Sequence, residues 1–278
     1  MSDQAEATAP ARDRIVEGEV NYLADMDVRP KFHAQDHGRD NLKLDPRTIS
    51  IRDARVGRAP SLEREGIVLV PHRTAVADFR DQEAVKQVYP GEIERLILEL
   101  SGASRVVVMG GAGLRYAERS PSYGTGINSF PARFIHIDYT DASAPQLVAN
   151  AAGGLKPGQR IAGYNIWRVV SDPPQDVPLA VCDARTVAPG DLVRADAYFD
   201  VGEEPWWNFE AFLVRHNPAH RWLYYSGMRP DEALVFKSFD SDPSQPIRVP
   251  HTAFNDPSAP EDAPARVSVE SRAFAFFD

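Results

Sequence analysis

The stretch Arg133-Phe134-Ile135-His136-Ile137-Asp138 alternates in polarity and reads as a β-strand. Side chains of a strand alternate faces, so His136 and Asp138 point the same way, and Phe134 points with them. The phenyl ring makes that face an inward one. An inward, unpaired aspartate is costly to bury, and a metal ion shared with the histidine compensates the cost. Taken alone, His-x-Asp reads more simply as two solvated polar residues on a surface strand. A second histidine, His251, could complete a set of two histidines and one carboxylate. Such a set leaves one side of an octahedral ion open. His251 by itself reads as an ordinary loop histidine. The two segments meet only if distant strands are brought together, which a jelly roll does.

From Arg133 onward the pattern is mostly strands. They are predicted at 134–139, 161–170, 179–182, 192–199, 211–215, 221–225, 233–239 and 265–277. A short helix begins near Pro145 and stops at Gly153. Many short strands with Pro- and Gly-rich turns point to a mainly β fold with flanking helices (α+β), a sandwich or jelly roll. Upstream, strands are predicted at 48–52, 67–71 and 105–109. A helix is predicted over 91–102, with Ile93, Leu96, Ile97 and Leu100 on one face and Gly102 as its stop. Residues 110–131 are rich in Gly, Ser and Pro and read as a long loop, functional or mobile. Residues 1–14 are polar and Ala-rich and read as a disordered tail. With no repeat and no clear linker, residues 15–278 read as a single domain, its metal-binding core at about 105–278.

The 278 residues suffice for one large β domain or two small ones, and 43% hydrophobic with 26% charged residues is ordinary for a soluble globular protein. No apolar run reaches the length of a membrane span, and no signal-peptide core is seen at the N-terminus, so no membrane partner is expected. The single cysteine, Cys182, excludes an internal disulfide and a thiolate zinc cluster. A reducing cytoplasm is the expected compartment. The formal net charge of −9 argues against nucleic acid as a partner. A homodimer is the base-rate expectation for assembly.

On the last strand Arg266, Ser268, Glu270 and Arg272 share one face, while Val267, Val269, Ala273 and Ala275 share the other. Such a polar row could hold a dicarboxylate, since Arg presents a planar fork and a hydroxyl two residues on adds a donor. The plainer reading is a solvent-facing row in which Glu270 attracts Arg272. Other patterns carry less. Gly111-x-Gly113 after a strand is only a fragment of a dinucleotide-binding turn, because Tyr116 stands where the third glycine belongs. His33 and His37, like His216 and His220, are spaced by four but lack the glutamate of a zinc-protease helix, and read as surface histidines. Asp240 and Asp242 read as turn formers. Trp206, Trp207, Phe209, Phe212, Trp222, Tyr224 and Tyr225 should be mostly core.

Together, His136-x-Asp138, Pro250-His251 and Arg266-x-Ser268 resemble the Fe(II)/2-oxoglutarate-dependent oxygenases. More specifically, the chain is similar to the hydroxylase/desaturase family of specialised metabolism. That family includes gibberellin-desaturase-like fungal enzymes and the small subunit of the cephamycin methoxylation system. The likeness runs from about Val20 to the C-terminus, through Asp78-Phe79-Arg80-Asp81, Tyr164-Asn165-Ile166-Trp167-Arg168, Asp231-Glu232-Ala233-Leu234-Val235-Phe236-Lys237 and Arg266-Val267-Ser268-Val269-Glu270-Ser271-Arg272. It implies a double-stranded β-helix (jelly roll, cupin-like) with His136, Asp138 and His251 as Fe(II) ligands. It also implies an arginine of the last strand on the far carboxylate of 2-oxoglutarate. Arg266 with Ser268 fits that role, and Arg272 is the alternative. Tyr139, Asn165 and Arg168 fall in or beside family segments and are candidates for contacts to substrate or to the metal ligands. The run Pro173 to Pro178 is richer in Pro and polar residues than the family pattern.

The implied reaction consumes O2 and 2-oxoglutarate, releases succinate and CO2, and hydroxylates or desaturates a small organic substrate. With Asp138 present, halogenation is not expected. Two other functions use the same residues: a metal-dependent hydrolase, which needs no 2-oxo acid, and a non-catalytic jelly-roll binding or accessory protein.

Overall fold

The computed structural model describes residues 14–126, 128–201 and 204–278, with side chains outside 200–206. The expected tail therefore lies, but for Arg14, outside the described residues. Strand β1 (Ile15–Leu23) buries Val16, Gly18, Val20 and Tyr22 and turns Ile15, Glu17 and Glu19 outward. That is the period-two pattern of a half-buried strand. The other strands are β2 (Lys31–His33), β3 (Leu44–Asp53), β4 (Ile67–Pro71), β5 (Arg105–Tyr116), β6 (His136–Ile137), β7 (Arg160–Val169), β8 (Leu179–Cys182), β9 (Leu192–Val201), β10 (Glu204–Val214), β11 (Trp222–Tyr224), β12 (Glu232–Asp240), β13 (His251–Ala253) and β14 (Val267–Phe277). Helix α1 (Gln82–Ser101) precedes β5, and α2 (Ser143–Ala152) follows β6.

The strands form two sheets. The larger runs β1-β3-β11-β8-β13-β6-β10-β9-β2 and the smaller β4-β12-β7-β14-β5. The mainly β jelly-roll architecture agrees with the expectation, and the predicted strands at 67–71 and 179–182 match the observed bounds. Between the sheets lie Trp167, Val181, Leu223, Leu234 and Phe236. Helix α1 covers the outer face of the small sheet, packing Tyr89, Ile93 and Ile97 against Tyr164, Ile166 and Val235.

The large sheet also curls back on itself. Asn21 of β1 forms a parallel bridge to Phe134, just ahead of β6. Its carbonyl accepts from Ile135 N at 2.9 Å, and its side-chain amide donates to Arg133 O at 2.7 Å. Inside the curl Val20, Ile51, Ile137, Cys182, Trp222 and Phe254 form a second core. Strands β6 and β8 therefore pack one face into this core and the other toward the small sheet.

Several expectations are corrected. The helix begins at Gln82, not at Gly91, and runs through Pro90. Asp81 caps it, its side chain accepting from Ala84 N. A proline inside a helix costs roughly 3 kcal/mol. The buried stripe Val85, Tyr89, Ile93 and Ile97 continues across it and offsets that cost. Residues 110–116 belong to β5 rather than to a loop. They carry a bulge, since Glu270↔Gly113 is followed by Arg272↔Met109 across the β14–β5 pair. Gly110 takes φ +66° there, open to glycine without strain. The strand around His136 is only two residues long, and Asp138 sits in the bend after it. Strands β1, β2 and β13 were not anticipated.

Gly18 shows how closely the second core is packed. A Cβ there would lie 2.8 Å from Ile51 Cδ1 and 2.8 Å from Phe254 Cδ2. Gly18→Val should lower stability by about 1–3 kcal/mol in equilibrium urea unfolding. Parent-like stability of this variant would contradict the described packing.

Candidate metal centre

Two backbone pairings create the site. His251 of β13 is the antiparallel partner of His136 of β6, so both side chains emerge on the same face. That face looks toward the small sheet, because Val181, the partner of His251 on its other side, packs there. The two imidazole centroids are 4.2 Å apart. The His136 Nδ1 proton is donated to Phe134 O at 3.1 Å and the His251 Nδ1 proton to Val249 O at 3.2 Å. A carbonyl only accepts, so each Nδ1 carries the proton and each Nε2 presents a lone pair. His251 Nε2 is buried without a hydrogen-bond partner among the described residues.

Asp138 faces the two rings, with Oδ1 at 3.6 Å from His136 Nε2. One ligand atom from each of His136, Asp138 and His251 lies within 4.8 Å of the others. The bend that carries Asp138 is tied down by its neighbours. Thr140 and Ser143 bond reciprocally through side chain and backbone, and both also reach Glu210 of β10. Asp138 Oδ2 accepts from Asn165 Nδ2 at 2.7 Å and from Arg272 Nε at 2.5 Å. Only Oδ1 remains for a ligand role. Burial works against the Asp138 charge, but the Arg272 guanidinium outweighs it and holds the carboxyl far below the ordinary carboxylate range. Burial, helped by the His251 imidazole, pushes His136 down to about 3, so its ring is neutral at any ordinary pH. Two neutral imidazoles and one carboxylate, with an orphaned Nε2 aimed between them, fit a divalent first-row metal such as Fe(II).

The last strand begins at Val267 rather than at 265, so Arg272 lies within β14 and Arg266 immediately before it, and the two arginines differ sharply. Arg272 is occupied: besides Asp138 it donates from Nη2 to Glu270 Oε2 at 3.1 Å. Arg266 is 1% exposed and lies over Trp167, 5.8 Å from the ring centroid. Its Nε and Nη2 have no partner among the described residues, and neither has Ser268 Oγ. Burial and the nearby Arg133 and Arg115 push its guanidinium down to about 9. A small cavity joins Arg266 to His136 and His251, with Arg115, Glu270, Trp167 and Thr252 in its walls. An unpaired, fully buried guanidinium is costly, and a carboxylate brought by a ligand would repair it.

The remaining expected residues fall in different places. Asn165 projects inward from β7 and touches Asp138. Arg168, also on β7, stands on the opposite face under α1. It bonds His72 and Pro230 O and lies over Tyr89 at 5.4 Å, away from the metal cluster. The two are three residues apart on β7, an odd number, so the strand that turns Asn165 inward turns Arg168 outward. Tyr139 packs in an aromatic group, 5.1 Å from Phe274 and 6.1 Å from Phe209. Sequence reasoning passes over Arg115 because its stretch reads as loop, and over Glu270 because it reads only as a same-face partner of Arg272.

The plainer readings need some correction too. His33 is buried and stacks on Tyr198. The His220 ring is buried between Tyr22 and Asp191. Asp240 forms the expected turn, its Oδ1 accepting from Asp242 N at 3.0 Å, and is in addition a buried partner of Arg160 and Lys237. Phe212, Trp222, Tyr224 and Tyr225 are core, whereas Trp207 is 40% exposed. The Trp206 side chain lies outside the described residues.

Co(II) titration of the purified chain should give one tight site per chain, and His251→Ala should weaken it by at least about a hundredfold, a loss comparable to the upper end for disturbed metal sites. Unchanged affinity would contradict a metal site here.

Comparison with known proteins agrees with this geometry. The family described as an oxidoreductase/YMDC permease-like domain matches residues 20–276. A Fe(II)/2-oxoglutarate-dependent dioxygenase, nvfI of Aspergillus novofumigatus, is 31% identical over 247 residues, 85% of each chain. A hydroxylase/desaturase, efuI of Hormonema carpetanum, is 30% identical over 294 residues, 98% of each chain. Among solved structures, the iron and alpha-ketoglutarate-dependent endoperoxidase NvfI superposes with a TM-score of 0.82 at 28% identity, covering 96% of this chain and 99% of that one.

Proposed function

The chain belongs to the family of Fe(II)/2-oxoglutarate-dependent dioxygenases and hydroxylase/desaturases, and we propose that it hydroxylates or desaturates a small organic molecule at the site described above. His136 Nε2, His251 Nε2 and Asp138 Oδ1 hold the iron, and Arg266 with Ser268 holds the far carboxylate of 2-oxoglutarate. Bound iron supplies the oxidising power, by coupling decarboxylation of 2-oxoglutarate to succinate and CO2 with O2-dependent oxidation of a substrate C–H bond. The observation that carries the cosubstrate assignment is the pair of orphaned guanidinium nitrogens on Arg266.

The protein's own part is positional. The carbonyls of Phe134 and Val249 keep both Nε2 lone pairs directed inward. Asn165 and Arg272 leave one oxygen of Asp138 free. Arg266 lines the same small cavity as His136 and His251 and would hold the cosubstrate's far carboxylate there. His136, His251 and Asp138 would hold the iron, with the 2-oxo acid as a further ligand. A hydrolase using the same ligands leaves the unpaired Arg266 without a role.

Substrate-dependent succinate release tests the reading. Asp138→Ala should abolish it, and Arg266→Ala should raise the 2-oxoglutarate Kd by at least about tenfold, as loss of a charge-assisted pair predicts, with iron binding little changed. Parent-like turnover of the Asp138 variant, or parent-like 2-oxoglutarate affinity of the Arg266 variant, would contradict the assignment.

A further inference from the structure

The side chains around Asp138 form a closed network. Asn165 Nδ2 donates to Asp138 Oδ2 at 2.7 Å and to Glu270 Oε1 at 2.7 Å. Arg272 repeats the bridge, donating from Nε to Asp138 Oδ2 at 2.5 Å and from Nη2 to Glu270 Oε2 at 3.1 Å. Arg115 adds a contact to Glu270 alone, with Nη2 3.6 Å from Glu270 Oε2. The Asn165 amide must face this way, because its carbonyl oxygen would otherwise meet two carboxylates. Asn165 and Arg272 thus each span the same pair of carboxylates. The β5 bulge lies opposite the Glu270 and Arg272 pair.

A lone arginine on a metal-binding carboxylate competes with the metal for it. Glu270 changes this situation: it draws on the same guanidinium and the same amide, and it supplies the negative charge that balances Arg272. We infer that Glu270 is a positioning residue, which through Asn165 and Arg272 locks Asp138 as a one-oxygen metal ligand without cancelling its charge. This rests on the metal-site reading above. Without the lock, Asp138 is free to turn and offer both oxygens, closing a position that the cosubstrate or O2 requires.

The test uses the full chain with Co(II) as probe. Glu270→Gln keeps the shape but removes the charge; Asn165→Leu removes both amide donors at similar size. Each should weaken Co(II) binding by about ten- to a hundredfold, the usual effect of losing a partner that orients a ligand. Each should also alter the Co(II) d–d spectrum, which reports coordination number and is unmoved by a merely structural loss. The double variant should be little worse than either single one, as expected for members of one unit. Folded variants that bind Co(II) with parent affinity and spectrum, while His251→Ala loses binding, overturn the lock alone. Parent-like binding by His251→Ala overturns the metal site itself, and this inference with it. If Glu270→Gln fails to fold, Asn165→Leu decides by the same two readings.

Discussion

The pairing of His251 with His136 is the contact on which the site depends. It is one rung between two very short strands, so little in either segment holds it locally. The larger sheet supplies the constraint. Strand β8 fixes β13 from one side and β10 fixes β6 from the other. The curl that returns β1 to Phe134 then closes a core beneath them. With the backbone held at that rung, neither imidazole has to be ordered when a metal arrives. The two Nδ1 protons are already spent on the carbonyls of Phe134 and Val249. The ring orientation and tautomer are thereby set before binding.

Electrostatics divides the surroundings of the metal cluster into two parts. On one side Asp138, Glu270, Arg272 and Arg115 balance one another through direct contacts. Toward the cavity, Arg266 is buried with Nε and Nη2 lacking a hydrogen-bond partner among the described residues. A buried charge left unpaired is tolerated where a ligand supplies its counter-charge. This contrast separates two arginines that lie six residues apart, Arg272 within β14 and Arg266 just before it.

Much of this was legible in the sequence. The alternation of polar and apolar residues exposed the inward face of His136 and Asp138 and the polar row from Arg266 to Arg272. The resemblance to the oxygenases, through Arg266-x-Ser268, favours Arg266 for the proposed cosubstrate contact. What was not legible has physical causes. The helix is expected only from Gly91, because the packing that carries it from Gln82 through Pro90 comes from the small sheet. The glycines at 110–113 read as a loop, because a bulge in an edge strand looks locally like a turn. Arg168 and Asn165 share a segment, and only the strand phase set by β12 and β14 shows which one faces inward. Strand β13 has three residues, too few for a periodic signal. The alternation of β1 was plain in Ile15–Leu23 and could have been read.

The most direct test is a crystal structure prepared without oxygen in the presence of Fe(II) and 2-oxoglutarate. Iron located by anomalous scattering should sit between His136 Nε2, His251 Nε2 and a single oxygen of Asp138. The far carboxylate of the cosubstrate should lie on Arg266, and Arg272 should remain on Asp138. Iron bound elsewhere, or Arg272 swung away from Asp138 to take that carboxylate, would contradict the account.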